Sequence, residues 1–269
     1  MAEARRTGNT PQDLFYRECN LTDWQMTDSE RLALKGILES LRPSCSLEIG
    51  TYRGGSLSLI RQYSSHTISL DKDPGVRNGL PDYPNVEFVT GESASKLARL
   101  LSDIYDRNLD LQFVLLDGDH SREAVRRDLN ILLGSISPRS RTVLVMHDTF
   151  NPSCRRGILE ADWKTSKHLA FVELDLVPGR LIESPGAGCG ELWGGFGIAV
   201  FVAQPTVKCL KISESSRLAH EVLAALALDR NSLTSNEMAA IIPPRTLPSR
   251  VKSRLKHLWK KGPWNNTKG

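Results

Sequence analysis

Two short segments hold the side chains most able to do chemistry: Leu116-Asp117-Gly118-Asp119-His120-Ser121 and Met146-His147-Asp148-Thr149. Each follows an apolar run and ends it with carboxylate and imidazole groups. Carboxylate oxygens suit hard divalent cations, and a bound cation lowers the pKa of a coordinated hydroxyl. An imidazole with an ordinary pKa near ~6.5 can accept a proton close to neutral pH. Asp119 and Ser121 have a simpler reading as caps of the helix that follows. Asp117 and Asp148 do not, because each ends an apolar strand.

A third segment, Leu47-Glu48-Ile49-Gly50-Thr51-Tyr52-Arg53-Gly54-Gly55-Ser56, puts glycines between a strand pattern and a helix pattern. Glycines there let the backbone turn sharply and approach a ligand, while the helix start offers free N–H groups. The spacing G-x-x-x-G-G is not the G-x-G-x-x-G of nicotinamide dinucleotide proteins. Glu48, two residues before the first glycine, would repel a pyrophosphate but suits a cationic, phosphate-free nucleoside. S-adenosylmethionine (SAM), with its sulfonium and ammonium charges, is such a molecule. Asp71 ends the next strand 21 residues after Gly50, where a carboxylate can accept ribose hydroxyls.

These residues need a scaffold that brings strand ends together. Short apolar runs alternate with amphipathic stretches: strands at 45–50, 66–71, 86–90, 111–117 and 142–148, and helices at 56–63, 93–105 and 121–133. Strands rich in Val, Ile and Leu, separated by helix-length segments, predict a parallel sheet covered on both faces. Their C-terminal ends then open onto one crevice. A helix capped by Asp28 or Ser29 precedes this series. Two strands, HLAFVELDLV and FGIAVFVA, follow as an antiparallel pair, and a helix near 214–228 is capped by Ser213. We expect three segments: an N-terminal helical cap (1–42), a nucleoside-binding domain (43–204), and a C-terminal helix with a basic tail (205–269).

The Glu48–Ser56 loop resembles the first motif of the class I SAM-dependent methyltransferases. The D-G-D-H-S and V-M-H-D segments narrow the resemblance to the metal-dependent small-molecule O-methyltransferases, both catechol-O-methyltransferase-like and macrocin-O-methyltransferase/cephalosporin-hydroxylase-like. It covers roughly residues 30–203. The resemblance implies a Rossmann-like α/β fold with a mostly parallel seven-stranded sheet and an antiparallel C-terminal hairpin. It places Glu48, Gly50, Thr51, Tyr52, Gly54, Ser56, Asp71, Glu92, Ser93 and Asp117 around SAM, with Asp71 on the ribose and Gly91-Glu92-Ser93 at the adenine. It makes Asp117 and Asp148 ligands of Mg²⁺ or another divalent cation and His120 the base. His147 departs from the pattern, since those enzymes usually have a second acid there. Imidazole binds Mg²⁺ poorly and Mn, Fe, Co or Zn well.

The expected reaction is methyl transfer to a hydroxyl of a small-molecule acceptor, a sugar or natural product. A SAM-binding regulator without catalysis is the alternative, and retained Asp117, His120 and Asp148 argue against it. A nicotinamide-dependent reductase fits the fold but not the glycine spacing. Trp163, Trp193, Phe196 and the 186–197 loop either wall the acceptor pocket or belong to the core and hinge of the last hairpin.

Composition bounds the rest. The chain has 269 residues, 40% hydrophobic and 25% charged, with net charge +4. Residues 238–269 hold eight Lys/Arg and no acid, which leaves 27 basic against 31 acidic residues before them. The body is therefore mildly acidic, and the overall charge is a poor argument for nucleic-acid binding. Five scattered cysteines without a C-x-x-C pair point to reduced thiols and a cytoplasmic protein. The tail reads as a solvated or subunit-contacting segment; the competing reading is peripheral membrane contact through a basic amphipathic helix. A homo-oligomer is expected.

Overall fold

The computed structural model describes residues 24–183, 190–204 and 211–227. The basic tail and Cys19, Cys189 and Cys209 lie outside them. The elements are α1 (Asp28–Leu41), β1 (Cys45–Ile49), α2 (Gly55–Tyr63), β2 (His66–Asp71), β3 (Val86–Thr90), α3 (Ser93–Asp106), β4 (Leu111–Leu116), α4 (Arg122–Ser135) and β5 (Arg141–His147). There follow α5 (Pro152–Leu159), β6 (Leu169–Val177), β7 (Arg180–Leu181), β8 (Leu192–Trp193), β9 (Phe196–Val202), β10 (Ile212–Ser213) and α6 (Arg217–Leu226).

The main sheet has the order β10-β6-β9-β5-β4-β1-β2-β3. Strands β5, β4, β1, β2 and β3 are parallel, and β9 runs antiparallel between β5 and β6. This is the expected Rossmann-like sheet closed by an antiparallel pair. Two-residue β10 adds an eighth strand beside β6, and β7–β8 form a separate small hairpin.

Both faces are packed, as the unbroken apolar strands require. Along β4 and β5, Val114, Leu116, Leu144 and Met146 join one core with Leu101, Leu129 and Ile158 of α3, α4 and α5. The alternate residues Phe113, Leu115, Val143 and Val145 join the other with Leu34, Leu38 and Ile60 of α1 and α2. A period of two thus splits each strand between two helix layers.

Two helix starts differ from expectation. Thr27 caps α1, accepting from the Glu30 amide while Glu30 reaches back to the Thr27 amide at 2.5 Å. This reciprocal capping box satisfies more orphan donors than Asp28 or Ser29 alone could. At the other end, Ser213 is drawn into β10 opposite Glu173, so α6 starts only at Arg217, after Ser216.

Candidate functional site

A cavity of about 1010 Å³ opens at the C-terminal ends of β1, β2, β4 and β5. It straddles the point where the chain reverses its direction across the sheet, between β1 and β4, the usual ligand crevice of an open α/β sheet. Gly50 makes the floor possible. Its φ is +87°, and an added Cβ would sit 2.0 Å from the Asp117 carbonyl oxygen. Any side chain there would force the tops of β1 and β4 apart.

The loop after Gly50 is tied to the end of β2. Asp71 Oδ2 accepts from the amides of Thr51 (2.7 Å) and Tyr52 (3.0 Å), and Oδ1 accepts from the Asp73 amide at 2.9 Å. Tyr52 is held at φ +50° in this turn. A carboxylate offers about four lone-pair sites, so about one remains for a ligand hydroxyl. Asp71 therefore shapes the loop as well as facing the cavity. Glu92 and Ser93 line the far wall, and Ser93 donates to Asp128 Oδ2 at 2.7 Å.

Glu48 corrects an expectation. It is fully buried and does not line the cavity; its oxygens accept from Ser56 Oγ (2.6 Å) and Thr51 Oγ1 (2.9 Å). Burial first, then the charges of Asp117 and Asp71, push its pKa up to about 8, against the hydroxyl bonds that favour the anion. It is a neutral brace beneath the loop. Gly54 is likewise outside the lining, behind the Leu80 side chain. Gly50, Thr51, Tyr52, Ser56, Asp71, Glu92, Ser93 and Asp117 all line the cavity.

Asp117, His120, His147 and Asp148 converge across it. His147 Nδ1 lies 2.9 Å from Asp117 Oδ1 and 3.1 Å from Asp148 Oδ2. His120 Nε2 lies 3.0 Å from Asp148 Oδ2 and 3.8 Å from Asp117 Oδ1. Asp148 occupies the left-handed region at φ +55°, a conformation rare outside glycine, and its Oδ1 accepts from the Gly194 amide at 2.6 Å. Buried Arg155 fixes the next turn, donating to the Thr149 carbonyl (3.2 Å) and to Asp175 (2.8 Å).

The charges are strongly linked. Asp117 and Asp148 push the His120 pKa up to about 10. Burial opposes charge on His147, but Asp117 and Asp148 outweigh it and raise its pKa well above the ordinary imidazole value. Burial likewise opposes charge on Asp148, and the facing imidazoles still hold its carboxyl below the usual range. Facing Asp117 and Asp148, His120 favours its protonated form.

Asp117, His147 and Asp148 offer three donor atoms within 4.8 Å of one another. One imidazole nitrogen and two carboxylate oxygens around a common point suit a divalent transition ion. The set fits a cation, with His147 as the departure from an all-oxygen site.

Trp193 stands on the cavity wall, its ring edge-to-face with His120 at 5.2 Å, and Glu191 accepts from its Nε1 at 2.7 Å. Trp163 and Phe196 are core residues instead. Trp163 donates to the Ile158 carbonyl at 2.8 Å, and Phe196 packs under His147. Ser121 takes the capping role expected, accepting from the Ala124 amide, while Asp119 Oδ1 accepts from the Ser121 amide in the turn before the helix rather than capping it. Glu30 and Arg155 were not expected at the site. The Thr27-x-x-Glu30 capping pattern was the available signal for Glu30; Arg155 had none.

A Rossmann-like α/β fold with its crevice at this switch point defines the class. Within it, residues 47–149 match the family model described as "Methyltransferase domain". Among solved structures it is similar to the O-methyltransferase from Bacillus cereus in complex with SAH, at 16% identity over 68% of this chain and 84% of that one, with TM-score 0.47. It is also similar to the O-methyltransferase TomG from Streptomyces achromogenes, involved in tomaymycin synthesis, in complex with SAM; identity is 13% over 70% and 86%, with TM-score 0.47. A comparison with curated proteins finds no match. Among the described residues no helix is long and apolar enough to cross a membrane.

Proposed function

We propose that the protein is a SAM-dependent methyltransferase that methylates a hydroxyl of a small molecule, a sugar or natural-product acceptor. One observation supports this above the others: the Gly50 loop with Asp71, Glu92 and Ser93 shares a single cavity with Asp117, His120, His147 and Asp148. A nucleoside on the first group leaves its reactive end toward the second. Binding a nucleoside alone would not require His120, His147 or Asp148.

In this reading the chain holds donor and acceptor close and in line, the main source of rate in a displacement at a sulfonium methyl. His120 receives the acceptor's proton, with Trp193 against its ring and Asp148 fixing its Nε2. It can do so only when the charge of Asp117 and Asp148 is offset, because otherwise it stays protonated. Asp117, His147 and Asp148 would hold a divalent cation, which when bound supplies positive charge that stabilises an alkoxide. The N-terminal segment contributes Trp24, Met26 and Glu30 to the cavity, in keeping with a cap on the domain that follows.

Titration of the full chain with SAM and, separately, with NAD tests the nucleoside. Tight binding of NAD and none of SAM would end the reading. Incubation with SAM and a panel of vicinal diols, sugars and catechols, read by release of the demethylated product, tests the transfer.

A further inference from the structure

The buried carboxylate of Glu30, part of the cavity lining, meets His147 at Nε2, the ring nitrogen that does not face Asp117 and Asp148. Its two oxygens have separate tasks. Oε2 accepts from the Thr27 amide (2.5 Å) and hydroxyl (2.8 Å) and caps α1. Oε1 accepts from the Gly195 amide (2.6 Å) and lies 3.3 Å from His147 Nε2. Glu30 is 1% exposed, and His147 Nε2 is buried and makes no aligned hydrogen bond to any described group, so the Glu30 carboxylate faces it as the adjacent charge rather than as a hydrogen-bond acceptor. Helix capping explains Oε2 but not why an anion faces this nitrogen from 117 residues away along the sequence.

An imidazole that binds a metal through one nitrogen commonly directs the other N–H at a carboxylate, which fixes the tautomer and the ring and strengthens the ligand. Here that carboxylate sits at Nε2 while Nδ1 faces Asp117 Oδ1 and Asp148 Oδ2 at 2.9 and 3.1 Å. Ligands about 2.1 Å from one ion and at right angles are about 3.0 Å apart, so Nδ1 stands from each of the two carboxylate oxygens at the spacing of neighbouring ligands. A nitrogen ligand made more basic by an anion behind it favours borderline transition ions over Mg²⁺.

We infer that Glu30 is a positioning residue for His147, presenting its Nδ1 so that Asp117, His147 and Asp148 form a site selective for a divalent transition ion over Mg²⁺. This rests on the cation-assisted part of the proposed reading, and it concerns metal binding alone.

The test uses the full chain freed of metal by chelation and titrated with Co²⁺ alone and with Mg²⁺ alone, followed by calorimetry and by the visible absorption of bound Co²⁺. The expected result is Co²⁺ binding at least tenfold tighter than Mg²⁺. Glu30→Gln should weaken Co²⁺ by about 10–100-fold, the usual effect of removing such a partner. Because Glu30→Gln also disturbs the helix cap, Thr27→Ala serves as the control. It removes the hydroxyl from Oε2, lowers thermal stability and leaves Co²⁺ affinity within twofold. His147→Asp should reverse the preference toward Mg²⁺. Equal affinity for the two ions, no binding of either, Co²⁺ affinity unaltered in Glu30→Gln, or equal losses in Glu30→Gln and Thr27→Ala would each overturn the inference. Methyl transfer is measured separately: Co²⁺ selectivity without transfer sinks the proposed function and leaves Glu30 its role, and transfer without metal binding does the reverse.

Discussion

Replacing Glu48 by Gln should change how stability depends on pH while leaving the loop in place. In the folded protein Glu48 keeps its proton to about 8 because burial disfavours the anion. In the unfolded chain it releases near the ordinary glutamate value of 4.5. Between those values the folded state binds the extra proton, so the sign is fixed: stability falls as pH rises through this window. Each unit of pH there costs about 1.4 kcal/mol, and the whole window amounts to about 5 kcal/mol as an order of magnitude. Gln is neutral throughout and lacks this slope. Its amide oxygen can accept from one of the two hydroxyls, Thr51 and Ser56, and its NH₂ can donate to the other.

Urea unfolding of both proteins at pH 5.5 and 7.5 reads the difference directly. Over these two units the gap between variant and wild type should move by about 2.7 kcal/mol in favour of the variant. The denaturant slopes should agree, since the surface exposed on unfolding is the same. His120 and His147 also have raised pKa values in the fold. Their stabilisation is full below the unfolded value and is lost as pH climbs through the folded one. Both proteins contain both histidines, so that contribution cancels. Parallel stability profiles would show that Glu48 is already ionised in the fold, and its description as a neutral brace would be wrong.

The other predictions concern the site directly. Asp71→Ala should weaken SAM more than tenfold, from a lost charge-assisted bond of about 1.5–3 kcal/mol, and should also loosen the Thr51–Tyr52 turn; calorimetry and amide exchange at those residues check both. His120→Ala should lower turnover by about 10²–10⁴-fold with SAM affinity within a few-fold, and a loss confined to SAM affinity would make His120 a binding residue instead. Gly50→Ala should destabilise the fold by more than ~1 kcal/mol through its positive φ, before any clash with the Asp117 carbonyl, so an unchanged urea midpoint would contradict the close approach of β1 and β4.

The sheet was readable because its strands are short runs rich in Val, Ile and Leu punctuated by turns, and tertiary packing adds nothing that contradicts the local pattern. Cys45–Ile49, His66–Asp71 and Val86–Thr90 fall within a residue of where the sequence places them. The strand-end carboxylates and histidines were readable for the same reason, since strand direction alone sends Asp117 and Asp148 to one edge. What local pattern cannot carry is the state of a group set by neighbours distant along the chain. Glu48 looks like a ligand-facing acid from its place beside the glycines, but Ser56 and Thr51 turn it inward and burial neutralises it. His120 looks like a free imidazole until Asp148, 28 residues further on, is seen 3.0 Å away.

Glu30 shows the same limit from the other direction. Its type and spacing fit a capping box so well that nothing in the sequence asks for a second task. Only when α1 lies against the β8–β9 turn does its spare oxygen meet the Gly195 amide and the back of His147. The cap and the site are then one structure: the contact that starts α1 also sets an imidazole at the end of β5. Loss of α1 should therefore reach the centre of the cavity through Glu30, even though the family match begins only at residue 47. For that reason α1 is, on this inference, part of the working unit.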